Sequence, residues 1–186
     1  FTCAPYLLND VPQLGEKIGW SESNAVIFAN SVIGAQTAKL PDYLDLFVAI
    51  TGRAPGGGMY SKEHRRPTLM VDVMALSDHD DSLWPLVGWL AGRLAADQIP
   101  LLKGLDHLNP THDDLRAMCA AFGTTSGASM LHVSGVTPEA NLTPVAGADR
   151  RQITCADLFE AWHAFNAGPE AVDLVAIGSP HASFGE

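Results

Sequence analysis

The sequence predicts an α/β protein built on a mostly parallel sheet with flanking helices. From residue 68 onward, short apolar runs alternate with helical patterns of about 12–18 residues, which is the rhythm of β–α–β units. Before that point helical signals dominate and strand signals are few. We therefore expect residues 1–60 to form a helical and loop segment and residues 61–186 to form an α/β domain.

The composition is typical of a folded chain with a sizeable core. Hydrophobic residues make up 47% and charged residues 17% of the 186 residues. The net charge is −10 and the longest basic cluster is His64-Arg65-Arg66, so nucleic acid is disfavoured as a partner. No apolar run reaches the roughly 18–20 residues that a membrane span requires, so we expect no membrane association.

The ends of the chain and its cysteines suggest its context. An odd number of cysteines, three in all and widely spaced, favours a reducing cytoplasm over a disulfide framework. Residues 1–3 contain no basic n-region of a signal peptide. Because the first residue is Phe1 rather than methionine, we expect a fragment of a longer protein.

The first predicted helix covers Ser21–Ala35, after a loop over residues 1–14. Ser21 or Ser23 is a suitable N-cap, and Gly34 is suited to close the helix. Many residues of this segment are small, which permits close approach of another backbone.

A second helix and a first strand follow. The helix begins at Pro41-Asp42 and ends at Gly52. Three consecutive glycines make residues 53–59 a loop. The first strand is predicted over Thr68–Val73.

The next helix is predicted over Ser77–Ala96 because its leucines recur at helical spacing. Ile99–Lys103 reads as a short buried strand. Thr111, with an acidic residue three positions later, predicts the start of a helix that runs to Phe122. The apolar stripe of the first of these helices consists of Leu83, Leu86, Val87, Leu90 and Leu94.

The remaining elements complete the alternation. We predict strands over Ser129–Ser134 and Val172–Ile177, with a surface loop over Val136–Gln152. Thr154 and Asp157 predict a capped helix that extends to about Asn166.

In α/β sheets, ligands gather at the carboxyl ends of the strands. Suggestive loops follow three predicted strands, and Gly123–Gly127 could cradle an anion or serve only as a loop. Among the histidines, His181 lies in a Gly-Ser-Pro turn where it could be functional or merely exposed, whereas His132 is expected in the core. The three loops are Lys103-Gly104, Ser134–Glu139 and Gly178–His181.

Each cysteine permits more than one interpretation. Cys119 lies on the apolar side of its helix and is expected in the core. Cys155 falls at a helix start, where a thiolate would be favoured, although a structural role is the simpler interpretation. Cys3 lies in a loop that gives no reason for burial, so a ligand or nucleophile is an equal alternative. No G-x-S-x-G elbow supports a serine hydrolase.

Six motifs follow one another along the chain: Thr2–Tyr6, Trp20–Ser23, Phe28–Ser31, Thr51–Arg53, Gly135–Glu139 and Gly178–His181. Taken in this order, they resemble the large catalytic part of the aconitase X family. The resemblance covers essentially the whole chain and implies an aconitase-like three-layer α/β/α fold. The stretch Asp113–Ser126 resembles the bacterial branch that dehydrates cis-3-hydroxy-L-proline, whereas the archaeal branch acts on mevalonate 5-phosphate.

The resemblance implies a hydro-lyase that uses an iron–sulfur cluster as a Lewis acid. Such a cluster polarises the leaving hydroxyl while a base removes the proton alpha to the carboxylate. Loss of water from 3-hydroxyproline gives an enamine that tautomerises to 1-pyrroline-2-carboxylate. The branch favours a [2Fe–2S] over a [4Fe–4S] cluster, because Ser179 stands where many relatives place a cysteine.

The resemblance also assigns roles to individual residues. Cys3 matches a cluster ligand. Ser21, Glu22, Ser23 and His181 are expected to be catalytic. The residues expected to bind substrate are Asn30, Ser31, Lys39, Arg53, Thr124, Thr125 and Ser179.

A complete active site is expected to need protein outside this chain. The family's catalytic chain is roughly twice as long, and a small swivelling domain, fused or separate, is expected to carry the base serine. Three alternatives stay open at this point: a mevalonate 5-phosphate dehydratase, an α/β binding domain that has lost the cluster, and a serine hydrolase.

Overall fold

The computed structural model describes residues 4–74 and 79–176. Its centre is a four-stranded sheet in the order β3-β2-β1-β4, and every neighbouring pair of strands runs parallel. The predicted α/β class, with a parallel sheet and flanking helices, is therefore confirmed. The strands are β1 (Leu69–Val73), β2 (Pro100–Lys103), β3 (His132–Val133) and β4 (Asp149–Ile153).

In the part of the chain that the structure describes, five α-helices surround or precede the sheet. A π-helical turn over Ala29–Ile33 continues α1, and single 3-10 turns cover Pro5–Leu7, Gly58–Tyr60, Lys62–Arg65 and Asp106–Leu108. Within residues 4–60 the elements are all helical. The division of the chain at residue 60 stays a prediction. The α-helices are α1 (Ser23–Phe28), α2 (Asp42–Thr51), α3 (Leu83–Ala95), α4 (His112–Thr125) and α5 (Cys155–Phe165).

Most of the predicted helix caps are confirmed. Gly34 and Gly52 both adopt the left-handed conformation that ends a helix, with φ of 76° and 66°. Both capping boxes are present, at the starts of α4 and α5. The predicted N-cap of α1 is wrong, because Glu22 caps this helix through its carboxylate while the hydroxyl of Ser21 donates to Asp45.

The core lies between one face of the sheet and the helices α3 and α4. Alternate residues of β1, namely Leu69, Val71 and Val73, belong to this core, whereas Asp72 is exposed. His132 on β3 is completely buried, which confirms it as a core histidine.

Helix α3 fully buries only part of the predicted leucine stripe. Leu83 and Val87 are buried, but Leu86, Leu90 and Leu94 are only partly covered. Between them, small residues bring α3 against α4: a Cβ built on Gly88 would lie 2.2 Å from the carbonyl oxygen of Met118. The small residues of this seam are Gly88, Ala91, Gly92 and Ala95.

Several predicted boundaries differ from the structure. Residues 79–82 precede α3, because Asp80 accepts a hydrogen bond from the backbone N–H of Ser82 at 2.9 Å and forms a turn there. The strand predicted over Ser129–Ser134 is confined to β3, and α4 extends three residues past Phe122.

The predicted loop Val136–Gln152 contains most of β4. Among the strands of the described residues this one pairs only with β1, and four of its five residues are exposed. An edge strand with polar side chains lacks the apolar alternation from which strands are predicted. That is why its sequence predicts a loop.

The strand predicted over Val172–Ile177 is wrong for residues 172–176, which form no strand and are exposed. Leu174 is 82% and Val175 is 73% exposed. An apolar run becomes a buried strand only where neighbouring strands and helices cover it, and no strand of the described sheet pairs with this one. Ile177 lies outside the described residues.

Candidate active site

A pocket of about 420 Å³ lies between the segment at residues 19–22 and helix α2. It brings together two of the predicted catalytic residues, Ser21 and Glu22, with Asp45 from α2. The sequence did not single out Asp45. The lining is formed by Pro5, Gly19, Trp20, Ser21, Glu22, Asp45, Val48 and Ala49.

Ser21 and Asp45 form the polar centre of this pocket. The hydroxyl of Ser21 donates to Oδ2 of Asp45 at 3.1 Å, which fixes its proton on the carboxylate side. Helix α2 can approach because residue 19 is glycine: a Cβ there would lie 2.8 Å from Cγ1 of Val48. The approach of α2 therefore positions Asp45 beside Ser21.

The backbone next to Ser21 is also fixed. The N–H of Trp20 donates to Oγ1 of Thr37 at 3.2 Å, and the Thr37 hydroxyl lies 3.3 Å from the carbonyl of Trp20. Ser21 thus extends from a segment whose position is set by the buried residue Thr37.

Glu22 and Ser23 differ in their surroundings. Glu22 lines the pocket, and its carboxylate also accepts a hydrogen bond from the N–H of Ala25 at 3.1 Å. Ser23 is exposed as the first residue of α1 and does not line the pocket. The structure therefore brings together two of these three predicted catalytic residues.

Asn30 is completely buried and its amide is fully used. It donates to the carbonyls of Thr37 and Ser129, both at 2.9 Å, and accepts from the N–H of Thr37 and from Arg65. Ser31 is buried too, and its hydroxyl accepts from the N–H of Leu131 at 3.0 Å. These contacts are structural, and a contact of either residue with substrate stays a prediction.

The other predicted substrate ligands of the described part do not line this pocket. Lys39 donates to the carbonyl of Ser126 at 3.2 Å, and its partial burial lowers the pKa of its ammonium group. Arg53 is exposed beyond the end of α2. The hydroxyls of Thr124 and Thr125 donate to backbone carbonyls of α4 and α3, respectively.

The iron–sulfur cluster implied by the resemblance finds no ligand set among the described residues. In residues 4–74 and 79–176, no three His, Cys, Asp or Glu side chains are grouped so as to hold a metal. Cys119 is a core residue, as predicted, and burial raises the pKa of its thiol. Cys3, Ser179 and His181 lie outside the described residues.

Cys155 is exposed at the first position of α5. It lines a separate pocket of about 380 Å³ together with His79 and Asp80. The hydrogen bond from Ser82 lowers the pKa of the Asp80 carboxyl. Cys155 is therefore not a core residue.

A buried ion pair, which the sequence did not reveal, connects the N-terminal segment to the sheet. Arg65 is completely buried, pairs with Glu139 through its Nε at 2.7 Å, and donates to the carbonyl of Asn30 at 2.9 Å. Nε2 of His132 lies 2.7 Å from the carbonyl of Arg65. The basic cluster at residues 64–66 is thus partly structural. In the sequence, the adjacent arginines were the only feature that drew attention to it.

Comparison with known proteins identifies the family. The family model described as the aconitase X first domain matches residues 1–63, and that of the aconitase X second domain matches residues 67–163. The chain therefore belongs to the aconitase X family.

Several relatives match the whole chain, including the following three. It is 45% identical to cis-3-hydroxy-L-proline dehydratase of Hypocrea jecorina and 47% identical to the enzyme of that name from Pseudomonas aeruginosa, and it covers 33% of each. It is 36% identical to the phosphomevalonate dehydratase large subunit of Methanothermobacter thermautotrophicus and covers 46% of it. The chain thus spans about a third to a half of the length of these relatives.

A solved structure has the same fold. The holo form of Thermococcus kodakaraensis aconitase X superposes with a TM-score of 0.78 at 31% sequence identity. The match covers 88% of this chain and 42% of that one.

None of the helices in the described ranges is long and apolar enough to cross a membrane.

Proposed function

We propose that the protein containing this chain is a hydro-lyase that removes water from cis-3-hydroxy-L-proline to give 1-pyrroline-2-carboxylate. The observation that carries this proposal is the gradient of identity across the whole chain. Relatives named for this reaction are 45–47% identical, whereas those named phosphomevalonate dehydratase large subunits are 29–36% identical.

The charge of the pocket supports the same substrate. Among the described residues, its lining contains two carboxylates, Glu22 and Asp45, and neither lysine nor arginine. A pyrrolidine substrate carries a secondary ammonium group, which these carboxylates attract, whereas the phosphate of mevalonate 5-phosphate would be repelled. The pocket therefore favours a substrate with a cationic amine.

The pocket residues have distinct parts in this proposal. Asp45 holds the proton of Ser21, so the free lone pairs of the Ser21 oxygen can accept a hydrogen bond from the ammonium or hydroxyl group of the substrate. Glu22 supplies a second negative charge, and the hydrogen bond that its carboxylate accepts from the N–H of Ala25 restricts its side chain. Lys39 and Arg53 are the residues that we propose to bind the substrate carboxylate.

The cofactor and the further domain belong to the same proposal. The family resemblance implies an iron–sulfur cluster, of the [2Fe–2S] type in this branch, with Cys3 as one ligand, and also a small swivelling domain. The described residues supply no ligand set for the cluster. The parts proposed for Ser21, Glu22 and Asp45 are independent of it.

The test is an assay of the full-length protein, purified without oxygen, with cis-3-hydroxy-L-proline and mevalonate 5-phosphate as separate substrates. We expect water loss from the first alone, together with iron and acid-labile sulfide that Cys3→Ala loses along with activity. Turnover of mevalonate 5-phosphate alone would show that it, and not cis-3-hydroxy-L-proline, is the substrate. Absence of both iron and turnover would favour a binding protein.

A further inference from the structure

Helix α2 carries four large apolar side chains on one exposed face. Tyr43 is 78% exposed, and the other three range from 40% to 72%. Their spacing of three, four and seven residues places them in one stripe along the helix. The stripe consists of Tyr43, Leu46, Phe47 and Ile50.

The opposite side of α2 contacts the candidate active site. Asp45 and Val48, three residues apart, line the pocket with Ser21 and Glu22. The helix is therefore one wall of the pocket, with its apolar stripe turned outward. Within residues 4–74 and 79–176 no other segment covers this stripe, as the exposure of its side chains shows.

We infer that the apolar stripe of α2 is the docking surface for the part of the aconitase X protein outside these 186 residues, and that this docking closes the pocket. The docking rests on membership of the family. Its effect on the pocket rests also on the proposed function. The occupant is a further domain of the same enzyme.

The length of the relatives supports this occupant. The chain matches them from end to end, yet it covers only 33% of two of them and 46% of a third. Each relative therefore carries more protein than the matched part, and this further protein is the source of the contacts that we propose. A helix face of Tyr, Leu, Phe and Ile is the kind of surface that such contacts bury.

The chemistry of dehydration gives a second reason for docking beside the pocket. An active site that expels bulk water strengthens its electrostatic interactions and protects reactive intermediates, and the enamine is one of these. The pocket of the described chain is bounded on one side by a single helix, α2. Protein packed on α2 would fix that wall and complete the enclosure.

The charge of α2 disfavours a membrane as the occupant. Amphipathic helices that lie on membranes usually carry Lys or Arg on their polar face. Residues 42–51 contain neither, and the chain as a whole has a net charge of −10. A second copy of the chain is the competing occupant that an experiment must separate.

Hydroxyl-radical footprinting of the full-length protein tests the inference without any mutation. Tyr60 is an internal standard, because it is the same residue type and is only 8% exposed. An open stripe would let Tyr43 oxidise about ten times faster, the ratio of 78% to 8%. We expect Tyr43 to oxidise about as slowly as Tyr60, and a near tenfold difference would overturn the inference.

Two variants at one position identify the contact, and light scattering identifies the partner. Phe47→Glu should raise the oxidation rate of Tyr43, whereas Phe47→Leu, which keeps an apolar side chain, should leave it unchanged. Protection of Tyr43 in a monomer and its persistence on dilution support an intramolecular domain. Protection that disappears when a dimer is diluted would assign the stripe to a second copy instead.

The footprint does not depend on the substrate. If Tyr43 is protected in a protein that fails to dehydrate hydroxyproline, the docking surface is supported and the proposed reaction is contradicted. If Tyr43 is readily oxidised in an active dehydratase, the reaction is supported and the docking surface is contradicted.

Discussion

At the scale of single residues, the pocket depends on one hydrogen bond between side chains 24 positions apart. The carboxylate of Asp45 accepts from the hydroxyl of Ser21 at 3.1 Å and contributes negative charge to the lining. A carboxylate in this position can both orient the hydroxyl and attract an ammonium group. Replacement by the amide separates these two effects, because asparagine keeps the shape and the acceptor oxygen.

We predict that Asp45→Asn in the full-length enzyme raises KM for cis-3-hydroxy-L-proline about tenfold, which corresponds to about 1.4 kcal/mol of lost charge attraction. Steady-state kinetics would measure the change, and the melting temperature would show whether the fold is kept. Glu160→Gln, the same change of charge on the exposed side of α5, is the matched control. Equal effects of the two variants would exclude a specific attraction at Asp45.

His132 makes stability depend on pH. Burial lowers the pKa of its imidazole, and the hydrogen bond to Arg65 opposes that effect only in part. The unfolded chain therefore binds a proton near pH 6.5, whereas the folded chain binds it only at lower pH. Because the unfolded state holds more protons in this range, stability falls as the pH decreases below about 6.5.

We predict that His132→Gln flattens this part of the pH profile. One proton changes the unfolding free energy by at most about 1.4 kcal/mol per pH unit. Urea unfolding at several values between pH 5 and 8 measures the slope separately from any overall loss of stability. An unchanged slope in the variant would assign the pH dependence to other groups.

At the scale of elements, the close approach of α3 and α4 depends on glycine. Helix propensity alone favours alanine over glycine by about 1 kcal/mol. At Gly88, however, a Cβ would meet the Met118 carbonyl oxygen at 2.2 Å, and at Gly92 it would lie 2.1 Å from Oγ1 of Thr125. Backbone atoms of a packed helix cannot move aside as a flexible side chain can.

We predict that Gly88→Ala destabilises the protein by about 1–3 kcal/mol, the usual cost of overpacking. Gly123→Ala in α4 is the control, because a Cβ there would meet only Cδ1, the end of the Ile27 side chain, at 2.9 Å and no backbone atom. That variant should be neutral or slightly stabilising. Chemical denaturation measures both, and a stable Gly88→Ala variant would show that the two helices can separate at little cost.

At the scale of the whole molecule, a buried polar cluster fastens the first-domain segment to the second. Asn30 lies in the first segment, and its amide donates to the carbonyl of Ser129 in the second, 99 residues away. Arg65, between the two segments, pairs with Glu139 and contacts Asn30. Removal of one partner from such a cluster leaves buried charge without compensation.

We predict that Arg65→Met reduces the free energy of unfolding by about 3–5 kcal/mol. Arg66→Met should cost only about 1 kcal/mol, because Arg66 donates to the carbonyls of Thr143 and Pro144 near the surface. Urea unfolding followed by tryptophan fluorescence compares the neighbouring variants. Similar losses for both would mean that the buried pair contributes no more than surface bonds.

Short-range signals explain what could be predicted of the fold. The capping boxes at Thr111 and Thr154 each involve residues three positions apart, and the structure has both. The apolar runs of β1 and β2 are buried, and their sequences predicted them. Such features follow from local sequence because the interacting groups are neighbours in the chain.

Long-range relations explain what could not be predicted. The polar strand β4 depends on β1 as its partner, and the apolar residues 172–176 have no such partner in the described sheet. Asn30 belongs to a motif that the resemblance assigns to substrate binding, and its hydrogen bonds to Thr37 and to Ser129, 99 positions away, depend on the fold. Asp45 lines the candidate pocket only because α2 lies against residues 19–22.

The sequence by itself determined the α/β class, most helix starts and ends, and the resemblance that identifies the family. Each of these depends on patterns that are read along the chain. Only the tertiary structure decided that Ser21 meets Asp45, that Arg65 is buried against Glu139, and that α2 turns an apolar stripe outward. These contacts join residues 24 and 74 positions apart or depend on which face of a helix is covered, so packing determines them.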